Sequence, residues 1–168
     1  NRGSKAPKVY WGIRGLSNGY EPGSVETVLT SSALIDKGLV GPRTRITVPS
    51  ELPVLDRTIH DWFTHPTLHL TMAGVIAKSS NIGTAMLSRQ MPTADLHAYL
   101  QKFGLGARTG IELPGEDIGI LPGAQMQGLT RDRVAFGQGL TVTGIQEISA
   151  IAGLVNGLAA GVGGGSRR

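Results

Sequence analysis

Residues Tyr20–Val40, "YEPGSVETVLTSSALIDKGLV", hold a turn, a helix and a helix stop signal in one run. Pro22 and Gly23 favour a turn, since proline presets one backbone angle and glycine tolerates the conformations other residues avoid. From Val25 the positions Val25, Val28, Leu29, Ser32 and Ile35 recur every three or four residues, and Gly38 stands where a helix C′ glycine belongs. The spacing predicts a helix of about three to four turns. Ser24 opens it, and two chemical roles compete there. As an N-cap its hydroxyl would satisfy an orphan amide, with Glu26 in the first turn suiting the helix dipole. As a nucleophile it would need a base within hydrogen-bond reach, because a serine hydroxyl is almost un-ionised at neutral pH. A helix places the residue three positions on beside it, and that residue is Thr27, which cannot take a proton.

Moving outward, "VYWGIRGL" (Val9–Leu16) mixes β-formers with glycine and reads as one short strand. Val40–Leu70 carries four prolines and no sustained period, which predicts loop with one short strand over Arg45–Val48. Leu70–Met91 is helical in pattern but interrupted at Ser79, Ser80 and Asn81, whose side chains compete for backbone hydrogen bonds. Two helices meeting at a polar corner is the expectation. Thr93 is placed to cap a helix whose Leu96, Tyr99, Leu100 and Phe103 form one face and which Gly104 ends. Gly104–Gly123 is glycine and proline punctuation around a short apolar run, read as an extended connection. Thr143 and Gln146 fit a capping box ahead of a helix expected to turn Ile145, Ile148, Ile151, Ala152 and Val155 inward. After Gly157, "LAAGVGGGSRR" reads as a linker-like tail.

The bulk composition sets outer bounds. A chain of 168 residues, 40% hydrophobic, suits one globular domain. Its 25 glycines, 9 prolines and 5% aromatics predict much loop and a thin core. The +4 charge comes from scattered residues, without the basic stripe and interleaved aromatics of a nucleic-acid reader. With no cysteine there is no disulfide, thiol nucleophile or thiolate metal site. No apolar run reaches the length of a membrane span, so a membrane tether is expected outside this sequence. His65 and His69 are four apart, but Pro66 between them argues against a helical two-histidine metal site with His60 nearby. Gly137 and Gly139 lack the strand-to-helix pattern of a dinucleotide site. Asp61, Asp95, Glu112, Glu116 and Asp117 are spread out, with no paired carboxylates evident.

Taken in order, "NGYEPGSV", "ALIDKGLV", "HPTLHLTMAGVIAKSSNIGT", "YLQKFGLGARTGIELPGE" and "VAFGQGLTVTGIQEISAIAGLVNG" resemble the transpeptidase domain of class B penicillin-binding proteins, the septal cell-division type in particular. The resemblance divides the chain into a poorly matching segment at 1–17, a partial transpeptidase domain at 18–157 and the tail at 158–168. It implies an α-rich remnant of the α/β fold shared with serine β-lactamases, with most of the central antiparallel sheet absent and the apolar faces that should cover it left open. It also implies a mechanism. In that family the serine of S-x-x-K attacks the penultimate D-alanine carbonyl of a stem peptide, releases the terminal D-alanine and passes the acyl group to an amine of a neighbouring strand; β-lactams acylate the same serine. Carried over, the nucleophile is Ser24 and the S-x-N motif is Ser79 and Asn81, the serine relaying a proton and the asparagine orienting lysine and substrate.

Two departures change the expected chemistry. Thr27 stands where the family has its lysine, and the K-[TS]-G motif expected some tens of residues after "GQG" does not occur in the sequence. The implied function is a fragment of a peptidoglycan D,D-transpeptidase with impaired acyl transfer, its parent working at the extracytoplasmic face of a bacterial membrane, its partners stem peptide, β-lactams and divisome proteins, with no cofactor. A non-catalytic binding module on the same scaffold is the alternative. A third reading has Lys78 or His60 replace the missing base.

Overall fold

The structure, a computed structural model, describes residues 13–156. The expectations for the tail after Gly157, and for the first half of Val9–Leu16, therefore lie outside the described residues. Seven helices and four short strands follow one another: α1 (Arg14–Ser17), α2 (Ser24–Asp36), β1 (Arg45–Val48), β2 (Leu52–Val54), β3 (Arg57–Ile59), β4 (Leu68–Thr71), α3 (Met72–Lys78), α4 (Asn81–Ser88), α5 (Thr93–Lys102), α6 (Gly128–Ala135) and α7 (Gly144–Val155). The strands make two separate two-stranded antiparallel sheets, β1 with β4 and β2 with β3. The α-rich architecture expected from the sequence is what the described residues form. Arg14–Ser17 is a helical turn, so the strand expected through Leu16 does not extend there.

Helix α2 runs through the centre and packs on α4, α5, α6 and α7. Its buried side is not the stripe its apolar spacing suggests. Val25 and Ile35 are exposed, whereas Glu26, Thr27, Leu29, Thr30, Ser31, Ala33 and Leu34 are buried. Several small residues, Thr27, Thr30, Ser31 and Ala33, lie on that buried side, and α4, the helix α2 packs on most, also buries small residues, Thr84 and Ala85 among them. The helix stops as expected: Gly38 adopts φ +69°, and the Leu39 amide reaches back to the Leu34 carbonyl at 3.0 Å.

Two caps differ from expectation. Pro92, not Thr93, occupies the N-cap of α5, and Thr93 is its first helical residue, although Leu96, Tyr99, Leu100 and Phe103 form the buried face as expected. The capping box of α7 is present, Thr143 Oγ1 accepting from the Gln146 amide and Gln146 Oε1 from the Thr143 amide. Its apolar stripe, however, is only partly turned inward: Ile151 packs against the core, half-buried. Ile148 and Val155 are 68% and 79% exposed, while Gln146 and Ala150 are buried. Val25, Ile148, Ile151, Ala152 and Val155 line one open hollow of about 560 Å³ that nothing covers among the described residues. This is the uncovered face anticipated for a fold short of its central sheet.

The proline-rich segment holds more order than its pattern suggests. Besides β1 it contains the hairpin β2–β3 and strand β4, registered as Leu52 with Ile59 and Arg45 with Thr71. The hairpin was invisible in the sequence because its two-residue tip is Leu55-Asp56, with Leu55 held at φ +55°, and not a glycine or asparagine turn.

Candidate functional site

Three backbone devices converge on Ser24. The first is the turn that delivers it. Gly23 is the N-cap of α2, and Ser24 is the first helical residue with no capping hydrogen bond from the N-cap side chain. The capping role weighed for Ser24 is thus not the one it plays. The second is the "GQG" segment. The Gly23 amide donates to the Gly137 carbonyl at 2.9 Å, and Gly137 sits at φ +84°. A β-carbon there would stand 2.0 Å from the Gly23 carbonyl oxygen, so only glycine permits this approach. Alongside, Gly139 N–H donates to Glu21 Oε1 at 2.8 Å, and Tyr20 and Val142 exchange two backbone hydrogen bonds of 2.9 Å.

The third device is the corner between α3 and α4. Ser79 caps the C-terminus of α3 in the left-handed region, at φ 52° and ψ 46°. For a residue with a β-carbon that conformation is unfavourable by about 1–2 kcal/mol. It directs the Ser79 hydroxyl onto Ser24, Oγ to Oγ at 2.8 Å, joining residues 55 apart in sequence. Ser80 caps α4 by accepting from the Gly83 amide at 2.9 Å, and Asn81 Nδ2 donates to the His60 carbonyl at 3.1 Å. The two helices meeting at a polar corner are as the sequence predicts. Of the three candidate residues, Ser24 and Ser79 are thereby brought into contact, while Asn81 begins α4 two residues on, with its side chain on the His60 carbonyl.

What braces the corner was not legible. Asp61, passed over as an isolated carboxylate, is fully buried and accepts from Ser80 Oγ at 2.7 Å, from the Ile82 amide at 2.9 Å and from His65 Nε2 at 3.1 Å. His65 Nδ1 lies 2.6 Å from the Pro66 carbonyl. Both ring nitrogens of His65 therefore face oxygen acceptors. His69 pairs separately with Thr47 at 3.2 Å, so the three histidines divide among different tasks. The only sequence signal for the brace is an aspartate four residues before a histidine in a segment without periodicity.

No base stands against Ser24 among the described residues. The Ser24 hydroxyl accepts its hydrogen bond from Ser79, and Lys78 extends over the Phe63 ring with Nζ 5.7 Å from the centroid. Thr27 is buried one turn along α2.

Next to it lies an unusual group. Glu26 is 0% exposed, and neither carboxylate oxygen has a hydrogen-bond partner. Burial first, and the nearby Glu147 carboxylate second, hold its pKa well above the usual carboxylate value. Its buried position thus favours the neutral acid over the dipole-complementing charge expected from its place in the first turn. Glu147 is also the acceptor for the Tyr20 phenol, whose pKa this hydrogen bond raises to about 12. The native state keeps the Glu26 proton that the unfolded chain gives up, so stability is fully present below the unfolded pKa and declines as pH rises towards the folded one. Within that window the expected slope is about 1.4 kcal/mol per pH unit. Glu26→Met should remove this slope in urea titrations at successive pH values and stabilise the fold by about 1–3 kcal/mol near neutrality. An unchanged slope in the variant would assign the pH dependence to another group.

Known proteins resemble this chain in sequence and in fold. The penicillin-binding protein transpeptidase domain family matches residues 1–159. Penicillin-binding protein PbpB of Mycobacterium tuberculosis is 41% identical over 132 residues, 78% of this chain and 19% of that protein. The peptidoglycan D,D-transpeptidase FtsI of Escherichia coli K12 is 32% identical over 148 residues, 87% of this chain and 24% of that protein. A crystal structure of penicillin-binding protein 3 from Mycobacterium tuberculosis, complexed with aztreonam, superposes with a TM-score of 0.81 at 38% identity, covering 85% of this chain and 32% of that one. The chain thus spans a quarter or less of the length of these curated relatives. With the match over nearly its whole length and the superposition on the aztreonam complex, the chain belongs to the penicillin-binding protein transpeptidase family.

Proposed function

We propose that this chain is the acyl-site portion of a peptidoglycan D,D-transpeptidase of the septal cell-division type, able to recognise a D-alanyl-D-alanine peptide or a β-lactam but not to turn either over. The observation that carries the reading is the 2.8 Å hydrogen bond between Ser79 and Ser24, with Asn81 beside them at the same corner. In an intact site the serine oxygen adds to the penultimate D-alanine carbonyl while its proton goes to a base. The carbon–nitrogen bond then breaks, D-alanine leaves with a proton on its amine, and a second amine takes the acyl group. Here the first step lacks its acceptor. Ser79 offers Ser24 a neutral hydroxyl and Thr27 has no basic atom, so neither can take the proton.

Recognition needs less. The exposed Ser24 and Ser79 hydroxyls and the Asn81 amide can hydrogen-bond a peptide backbone without any proton transfer. The parent protein would work outside the cytoplasmic membrane, where its substrate is, held by a tether beyond the described residues, none of whose helices is long and apolar enough to cross a membrane. The test is a ¹⁵N NMR titration with a peptide ending in D-alanyl-D-alanine. Saturable shifts at Ser79, Asn81 and Gly139, displaced by penicillin and without release of D-alanine, are expected. Shifts scattered over the surface, or none, would overturn the reading.

A further inference from the structure

A second cavity opens on the far side of Asn81, and its wall is basic. It measures about 440 Å³ and is lined by Arg57, Thr58, His60, Asn81, Arg133 and Gln138 among others, with no carboxylate in its lining. Three parts of the fold build it. The β2–β3 hairpin supplies Arg57 directly after its tip, α6 supplies Arg133 in its last turn, and the "GQG" segment supplies Gln138. The hairpin tip leans on α6: Leu55 Cδ1 lies 3.2 Å from where a β-carbon on Gly128 would stand, which holds Arg57 and Arg133 on walls of one cavity.

Neither guanidinium is neutralised. Arg57 has only Asp56 at 3.9 Å, an exposed neighbour on the turn, and Arg133 makes no salt bridge among the described residues. The contrast is within the same molecule. Arg89 binds Asp132 at 2.5 Å, and Arg131 closes the C-terminus of α4 by donating to Ser88 Oγ at 2.8 Å and to the Met91 carbonyl at 2.8 Å. Arg89 and Arg131 are thus matched by close acceptors, whereas Arg57 and Arg133 have no carboxylate closer than 3.9 Å among the described residues. Two forked, unpaired donors with His60, Thr58 and Gln138 between them make a receptor for a planar anion.

We infer that this cavity is a carboxylate subsite, which binds an acidic side chain of the peptide on the acyl-donor side of the Ser24–Ser79 pair. The inference rests on the reading of that pair as a peptide site. Asn81 is the link: it stands beside Ser79 at the corner, lines the cavity, and ties the two by donating to the His60 carbonyl at 3.1 Å. A peptide laid across Ser24 with its D-alanyl end at the hydroxyls would carry its preceding side chain past Asn81 into the basic wall.

The experiment uses the full chain and two synthetic peptides ending in D-alanyl-D-alanine, identical except that the side chain of the preceding residue ends in a carboxylate or a carboxamide. Affinities are read by NMR titration. The carboxylate peptide should bind about tenfold tighter, as charge-assisted pairing to arginine predicts, and the gap should narrow with added salt. In Arg57→Gln/Arg133→Gln the gap should vanish while the carboxamide peptide binds as before. Arg43→Gln, an exposed arginine outside the cavity, should keep the gap and so exclude a general charge effect. Equal binding of both peptides to the native chain, or a gap that survives the double substitution, would overturn the subsite alone. Failure of both peptides to bind would overturn the peptide-site reading and the subsite with it.

Discussion

Thr27→Lys should make Ser24 react with penicillin. The side chain at position 27 is one helical turn from Ser24 on α2 and is buried, 3% exposed. A lysine there loses hydration, which lowers its pKa and leaves a fraction of the amine neutral and able to accept the Ser24 proton. General-base assistance of this kind contributes about 10²- to 10⁴-fold. The expected result is a covalent adduct accumulating about a hundredfold or more faster than on the native chain and lost again in Thr27→Lys/Ser24→Ala. Circular dichroism on the variant separates a misfolded lysine variant from an inert one. A folded Thr27→Lys chain that forms no adduct would mean that the missing base is not what limits Ser24.

Asp61→Ala should destabilise the chain by about 3–5 kcal/mol, because three groups at a buried corner lose their hydrogen-bond partner at once, at about 1–3 kcal/mol each. The Asp61 and His65 side chains are 0% and 3% exposed, so solvent screens their interaction little. Removing the carboxylate leaves the His65 ring, the Ser80 hydroxyl and the Ile82 amide short of an acceptor together. The effect should not be confined to global stability. Ser79 holds its left-handed conformation between the end of α3 and this brace, so its amide resonance should shift well before the chain unfolds. Asp61→Asn keeps one acceptor oxygen and should fall between native and alanine. A loss below about 1 kcal/mol on urea unfolding of Asp61→Ala would show that the corner is held by other contacts.

The helices were readable where local chemistry alone sets them. The Ser79–Asn81 corner, the Thr143–Gln146 capping box and the Gly38 stop depend on a few adjacent residues, and each is found where the sequence implies. Which side each helix buries was not readable in the same way. On α2 Leu29 and Leu34 point in as a stripe should, but Val25 and Ile35, and on α7 Ile148 and Val155, point out, while Glu26, Thr27 and Gln146 point in. Periodicity finds the apolar stripe, but it assumes that the stripe meets the nearest core. On α7 the stripe instead lines an open hollow that nothing covers among the described residues.

The site divides along the same line. Ser24, Ser79 and Asn81 could be named from motif spacing because the family resemblance places them. Asp61, Glu26 and the pair Arg57 and Arg133 could not. Their importance comes from burial and from the meeting of segments far apart: a loop against a helix corner, a carboxyl enclosed by Leu29, Leu105 and Val142, and a hairpin leaning on α6. A single sequence without an alignment holds no local mark of such meetings.

The central claim is that the fold has kept the geometry of an acylation site without its proton acceptor. Intact-mass spectrometry of the native chain after incubation with a fluorescent penicillin, beside Ser24→Ala and with folding checked by circular dichroism, tests it most directly. The account predicts no mass gain in either chain at times when a family transpeptidase would be fully labelled. A penicillin-sized gain on the native chain that disappears in Ser24→Ala would contradict it and show that Ser24 finds its base elsewhere.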